Sequence, residues 1–473
     1  LQLTFHGAAG TVTGSRYLLE TDDLSCLVDC GLFQGLKSLR RRNWDPPPFK
    51  AGSVDHVLLT HTHIDHSGWL PRLVKNGYRG PIHASEPTCE LAEILLQDAA
   101  KIQEEDAAFA NKKGFSKHKP ALPLYTSEDA LAALKLFRPV GYDRWLKLKG
   151  RGKFRGSGVR ARFLNSGHIL GASFVQVEIE ARKGRPAATV VFSGDLGRTG
   201  VPLHIDPLPR PPCDVLVVES TYGDRRHDHT PIAEQIREPF LRCLERKGVV
   251  LIPAFAVGRS QMVTLILRRL MEAGELPEVP IHIDSPMAID VTRIYNRHLH
   301  DCNLDEDLVE DGRTRLFPER VQFHRSVEDS KRLNEMAGPR VIISASGMMT
   351  GGRVVHHLGV RLPDPRNLLL LSGYQAAGTR GRSLLEGADS LRMHGMTVPV
   401  RAEWHQIHGL SSHADSDELM RWIRDAETLP RTVIVTHGEP ESSQALAARI
   451  EEELGVRTVI PALGDRLDLS TLL

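Results

Sequence analysis

Short apolar runs divided by glycine-rich turns dominate the first 200 residues. Residues 1–5, 15–20, 26–29 and 54–60 carry the apolar or alternating pattern of strands, as do 159–164, 174–180 and 188–192. Helical periodicity is confined to 87–103 and 127–136, which predicts a layered sandwich with helices outside. Five prolines between Pro202 and Pro212 then end any regular element. Beyond them, apolar strands at 215–218, 249–252, 281–283, 341–343 and 368–371 are mostly separated by helical stretches such as 232–247 and 260–273. This pattern predicts a parallel sheet covered on both faces. Strand 398–402, helix 417–425, strand 432–436, helix 442–453 and strand 458–461 complete the chain.

The segment His61-Thr62-His63-Ile64-Asp65-His66 directly follows the apolar run Val57-Leu58-Leu59. Imidazoles and carboxylates are costly to place at the end of a buried strand unless something binds them. Neutral imidazoles supply directional nitrogens and a carboxylate supplies charge, so the chemistry points to zinc, with iron and manganese suited to the same donors. Three further polar residues stand where strands meet turns: His168 after Ser166-Gly167, Asp195 after Ser193-Gly194, and His437 after Val435-Thr436. With His61, His63, Asp65 and His66 they make seven ligands, the number that suits two zinc ions sharing a carboxylate and a hydroxide.

The whole-chain figures change this picture little. At 473 residues, 41% hydrophobic and 25% charged, the chain is long enough for two large cores. Lysine plus arginine total 60 against 59 for aspartate plus glutamate, so net charge argues neither for nor against an anionic partner. Six scattered cysteines without a CxxC pair exclude a cysteine zinc finger and a disulfide framework. No apolar run has the length of a membrane span and the N-terminus lacks a signal-peptide pattern, so a cytoplasmic location is expected. The basic residues Lys147, Lys149, Arg151, Lys153 and Arg155, and the segment 111–119, fit either a solvated surface or an RNA-facing groove.

The HxHxDH pattern of His61 to His66 resembles the metallo-β-lactamase fold, and other motifs resemble its β-CASP branch of RNA-processing nucleases. Val218-Glu219-Ser220-Thr221-Tyr222-Gly223 is similar to the first signature of that branch, Leu410-Ser411-Ser412-His413-Ala414-Asp415 to the second, and His437-Gly438-Glu439 to the third. The stretches 253–261, Asp284-Ser285-Pro286-Met287-Ala288, Ser344-Ala345-Ser346-Gly347-Met348 and Gly373-Tyr374-Gln375 add supporting matches. The resemblance implies an α/β chain: an αββα sandwich interrupted by an inserted parallel-sheet β-CASP domain. Residues 1–207 and 397–473 would form the sandwich and 208–396 the insertion.

By the same resemblance, one zinc is expected on His61, His63 and His168 and another on Asp65, His66 and His437, with Asp195 between them. His413, Glu219, Asp65 and Asp29 form the expected catalytic group. His413 is the general acid or an orienting donor, Glu219 holds it, and Asp29 hydrogen-bonds the metal site. Single-stranded RNA is the expected partner. Ser346 and Gly347, at a turn expected to precede a helix, would meet a phosphate together with Arg259 and Arg353, and Tyr222 and Tyr374 would stack on bases. Endonucleolytic cleavage leaving a 5′-phosphate and a 3′-hydroxyl is expected. A 5′-to-3′ exoribonuclease and a noncatalytic RNA-binding scaffold stand as alternatives, and homodimerisation is left open.

Overall fold

The computed structural model describes residues 1–114, 118–150, 158–182, 186–303, 309–310, 313–314 and 321–473. Arg151, Lys153 and Arg155, and the middle of the basic segment 111–119, lie outside the described residues. Lys147 sits on Leu146–Leu148, the outermost strand of its sheet, where charge guards an edge.

Two seven-stranded sheets pack face to face. The first runs Arg466–Asp468, Gln2–Phe5, Tyr17–Glu20, Ser25–Val28, His56–Leu58, Ile82–Ser85 and Phe137–Val140 from edge to edge. The second runs Arg457–Val459, Thr432–Thr436, Val215–Glu219, Ala188–Phe192, Ser173–Ile179, Val159–Asn165 and Leu146–Leu148. Phe5, Val28, Val175, Val190, Phe192, Val217 and Ile434 fill the space between the sheets. The opposite face of the first sheet is closed by a cluster containing Leu70, Leu73 and Leu96 from helices, and that of the second by Trp422, Ile423 and Leu446. The result is the predicted αββα sandwich.

The third sheet has six strands, all parallel, in the order Val321–Phe323, Ile281–Ile283, Arg340–Ser344, Val249–Pro253, Leu368–Leu371 and Glu403–Gln406. Its central strands Val249–Pro253 and Leu368–Leu371 are apolar and buried at successive positions because both faces are covered. Val249 and Leu251 join Ile342 and Leu358 on one side, while Val250 and Ile252 join Met262 and Ile343 on the other. The second of these clusters also takes in Leu91, Leu95, Ile169 and Leu170 of the sandwich, so the two cores are continuous.

Two strands differ from the sequence reading. Val215–Glu219, grouped there with the inserted domain, pairs in parallel with Ala188–Phe192 and Thr432–Thr436 inside the sandwich. The strand expected at 398–402 is instead two, Met396–Pro399 and Glu403–Gln406, and the latter, beyond the expected limit of the insertion, forms the edge of the six-stranded sheet beside Leu368–Leu371. Short apolar strands do not encode their sheet partners, and only pairing distinguishes the two sheets. The helices expected at 87–103 and 127–136 form, the first continuing ten residues past its expected end to the left-handed cap Gly114, φ 66°. Lys37–Arg42, Ile64–Ser67 and Leu70–Lys75 are helices the pattern did not mark.

A buried carboxylate organises the inserted domain. Asp284, wholly buried, accepts hydrogen bonds from Ser330 Oγ at 2.5 Å, Arg353 Nη1 at 2.6 Å and His357 Nε2 at 2.7 Å. Burial alone would raise its pKa, but the His357, Ser330 and Arg353 donors outweigh it and hold the carboxyl below its ordinary value. The stabilisation is therefore present above the unfolded-state pKa and is lost as pH falls through the folded-state one. Asp284→Asn replaces an acceptor oxygen with a donor group facing these donors. We expect it to lower stability by about 3 kcal/mol, read as a reduced denaturation midpoint with secondary structure retained in native buffer.

Candidate metal centre

The strand registers bring the polar residues together. Val28 pairs with Leu58 and Glu219 with Thr436 at the C-terminal ends of parallel strands, and Phe192, the last residue of its strand, pairs in parallel with Val217. Asp29, the His61–His66 segment, Asp195, Glu219 and His437 follow from these ends along one rim of the sandwich. His168 arrives from the turn after Val159–Asn165. Two rim residues lie in the left-handed backbone region, Asp29 at φ 59° and His437 at φ 49°. Gly31 is pressed against the segment, since a Cβ there would lie 1.6 Å from the Asp65 carbonyl oxygen.

Four of the five imidazoles are turned by a partner on the outer nitrogen. His66 Nδ1 meets Asp29 Oδ2 at 2.7 Å, His168 Nδ1 the Ser412 carbonyl at 3.2 Å, His61 Nδ1 Thr60 Oγ1 at 3.1 Å, and His437 Nδ1 Thr221 Oγ1 at 3.3 Å. Asp29 is itself held by the Thr60 backbone N–H at 2.8 Å and hydroxyl at 2.9 Å. The inner nitrogens consequently face a common space. His61 Nε2 is 3.1 Å from His63 Nδ1, His63 Nδ1 is 3.2 Å from His168 Nε2, and His66 Nε2 is 3.0 Å from His437 Nε2.

Asp195 lies between the two groups. Its Oδ2 is 3.3 Å from His61 Nε2 and 3.5 Å from His168 Nε2, and its Oδ1 is 3.1 Å from His66 Nε2. Asp65 Oδ2 stands 3.6 Å from His437 Nε2. Zinc bonded to nitrogen at about 2.0–2.1 Å in a tetrahedron sets its ligands roughly 3.3 Å apart, so these separations are those of coordination edges. Burial, reinforced by neighbouring imidazoles, lowers His61 to about 3, and burial lowers His63 to about 4, keeping their nitrogens unprotonated. Asp195 Oδ1 is buried without a hydrogen-bond donor, as expected of an oxygen shaped for a cation. The donor set fits metal.

His413 stands beside this space. Its Nδ1 is 3.1 Å from Glu219 Oε1, and its Nε2 is 3.9 Å from Asp195 Oδ2. Glu219 is fixed by the Leu196 N–H, which donates to its Oε1 at 2.7 Å. The histidine loop is pinned in turn: Ala414 N–H donates to the Leu196 carbonyl at 2.8 Å, and His227 Nε2 bonds the His413 carbonyl at 2.9 Å. Asp415 caps the following helix, Ser416–Arg424. Burial works against the charged imidazole, but the carboxylates of Glu219 and Asp195 raise its pKa to about 9.

The expected RNA contacts fare unequally. Tyr222 and Tyr374 meet edge-to-face with ring centres 6.1 Å apart, and Tyr222 is also 6.1 Å from His413, so both flank the centre. Tyr374 donates to Glu439 Oε1 at 2.9 Å. Arg259 is buried at the start of helix Arg259–Glu272, with Nε and Nη1 unpaired and Nη2 3.4 Å from Ser412 Oγ. Arg353 is the exception. Its guanidinium is bonded to Asp284 and to the carbonyls of His324 at 2.9 Å and Arg325 at 2.7 Å, a structural role within the parallel domain. Ser346-Gly347 does not lead straight into a helix either. Ser346 Oγ accepts from Thr350 N–H at 3.2 Å, and the helix starts only at Arg353.

Sequence reasoning missed Thr60, Thr221 and Ser412, which turn three of the imidazoles, and Phe255, whose ring lies 6.4 Å from His63. Thr60, Thr221 and Ser412 all lie in or beside quoted motifs, so adjacency was the available signal.

Comparison with known proteins agrees with this architecture. A metallo-β-lactamase superfamily domain matches residues 18–183, a β-CASP domain 260–384, and a zinc-dependent metallo-hydrolase RNA specificity domain 397–461. Ribonuclease TTHA0252 of Thermus thermophilus is 39% identical over 93% of this chain and 94% of its own length. Transcription termination factor FttA of Methanosarcina mazei is 30% identical over 97% of this chain and 70% of its own, and an RNase J-like protein of Methanocaldococcus jannaschii 29% identical over 99% of each. A structure of a protein of unknown function from Enterococcus faecalis shares the fold at 13% identity, with a TM-score of 0.53 over 98% of this chain and 99% of its own. With a ligand-shaped rim, a sandwich interrupted by a parallel α/β domain, and near full-length similarity to such relatives, the chain belongs to the β-CASP family of the metallo-β-lactamase superfamily.

Proposed function

We propose that this protein is a zinc-dependent ribonuclease that hydrolyses phosphodiester bonds within single-stranded RNA and leaves a 5′-phosphate and a 3′-hydroxyl. The observation that carries the reading is the Glu219–His413 pair beside Asp195, because a metallo-hydrolase fold alone requires no such pair. Similarity to a ribonuclease along nearly the whole chain supports the substrate class. The complete ligand set argues against a noncatalytic scaffold. We place the insertion between the strands Val215–Glu219 and Thr432–Thr436, with its sheet ending at Glu403–Gln406, in place of limits at 208 and 396.

His61, His63 and His168 would hold one zinc, Asp65, His66 and His437 the other, with Asp195 reaching both. Bound zinc supplies hydroxide near neutral pH and neutralises charge on the phosphate. The chain supplies the rest. Glu219 takes the Nδ1 side of His413 and turns Nε2 toward the shared space, where it hands a proton to the departing 3′-oxygen. The unpaired nitrogens of Arg259 attract a phosphate of the incoming strand, and Tyr222 and Tyr374 offer ring faces to unstacked bases. Ser346-Gly347 stays in the proposal as a polar turn on the parallel-domain side of the cleft, joined to Gln375 through the Gly347 carbonyl at 3.1 Å.

Two outcomes follow. With RNA labelled at either end, wild type should release internal fragments early, and His413→Ala should cut about 10²–10⁴-fold more slowly with unchanged zinc content. Mononucleotide release from the 5′ end would select the exonuclease instead, and no cleavage by the metallated wild type would sink the ribonuclease reading. Asp29→Asn should weaken zinc retention about 10–100-fold in competition with a chelator, while the fold and the His413–Glu219 pair stay intact.

A further inference from the structure

A second histidine cluster spans the join between the sandwich and the parallel domain and shares no residue with the centre around Asp195. Helix Glu86–Lys113 of the sandwich packs there against helix Pro286–Arg297 of the parallel domain. Just past the latter, the short 3₁₀ turn Leu299–Asp301 gathers His298, His300 and Asp301, whose donor atoms lie within 4.8 Å of one another. Asp301 Oδ2 is 4.0 Å from His298 Nδ1 and 3.6 Å from His300 Nε2. Ligand atoms around tetrahedral zinc stand roughly 3.3 Å apart, so a closure of under about 1 Å brings both Asp301–histidine pairs to coordination edges.

Two independent features favour an ion there. His298, nearly buried, places its Nε2 3.1 Å from Glu90 Oε1 across the domain join, and Arg297 clamps the other Glu90 oxygen. This bond puts the ring proton on Nε2 and leaves the Nδ1 lone pair facing Asp301, the carboxylate–histidine–metal arrangement of bound sites. Asp301, with only 13% of its side chain exposed, makes no ion pair with lysine or arginine among the described residues; its partners are the two histidines.

We propose that His298, His300 and Asp301 form a divalent-cation site, with zinc the fitting ion, that ties the parallel domain to the sandwich through Glu90. Exposed His300 leaves a fourth position for water. Occupancy would stiffen the contact between the two helices and so restrict relative movement of the two domains. The proposal does not depend on the ribonuclease reading.

The test compares zinc per chain in full-length wild type, His300→Ala and Asp301→Asn after zinc saturation and desalting, by mass spectrometric metal analysis. Exposed His300 can be replaced without disturbing the core. The expected result is one equivalent lost in each variant with RNA cleavage unchanged. Glu90→Gln should keep the equivalent but release it to chelator at about 10–100-fold lower competitor strength. Equal zinc content in wild type, His300→Ala and Asp301→Asn overturns the proposal, whatever the cleavage assay gives.

Discussion

Asp195 has a nitrogen from each of four histidines, His61, His66, His168 and His437, within 3.7 Å of its carboxylate, and His413 approaches to 3.9 Å. A buried carboxylate ringed by imidazoles is held well below its ordinary pKa by their proximity even though burial opposes this. His66, which Asp195 and Asp29 hold well above its ordinary pKa against the pull of burial, and His413, raised to about 9, supply part of the balancing positive charge, while the unprotonated His61, His63 and His168 supply none. Bound metal ions would complete the balance. The surrounding structure serves that requirement: hydroxyls, a carbonyl and Asp29 hold the outer nitrogens so that the inner ones converge.

Convergence depends on parallel pairing. Glu219 and His437 are neighbours because Val215–Glu219 and Thr432–Thr436 run in register, although more than two hundred residues separate them in the chain. That interval contains the whole six-stranded domain, and its insertion brings Phe255, Arg259 and Tyr374 over the rim. A shared apolar core, in which Leu91 and Ile169 join Ile252 and Met262, keeps the insertion seated on the sandwich. The residues that would activate a phosphodiester thus stand on the sandwich, while several that would meet the strand stand on the insertion. Their division makes the join between domains part of the site.

Arg353 and Arg259 carry the same charge in different surroundings. An arginine beside a glycine pair near a phosphate-like turn has the composition of an anion contact, yet all its bonds go inward to Asp284 and two carbonyls. Arg259 has the same formal charge and lies buried with two unpaired nitrogens beside the histidine loop. What separates them is the presence or absence of a nearby acceptor, a property of packing.

The chain by itself determined its metal chemistry. The six residues from His61 to His66, with His168, Asp195 and His437 at strand ends, are legible because isolated polar groups after apolar runs need a partner. It marked the longer helices as well, such as those beginning at Glu86, Ile232, Arg259 and Pro440, since 3.6-residue periodicity is local. Only the tertiary structure decided which sheet receives Val215–Glu219 and Glu403–Gln406, because strand pairing joins residues distant in sequence and leaves no local mark. The same holds for Thr60, Thr221 and Ser412: a hydroxyl or carbonyl orients an imidazole only when folding places it behind the ring.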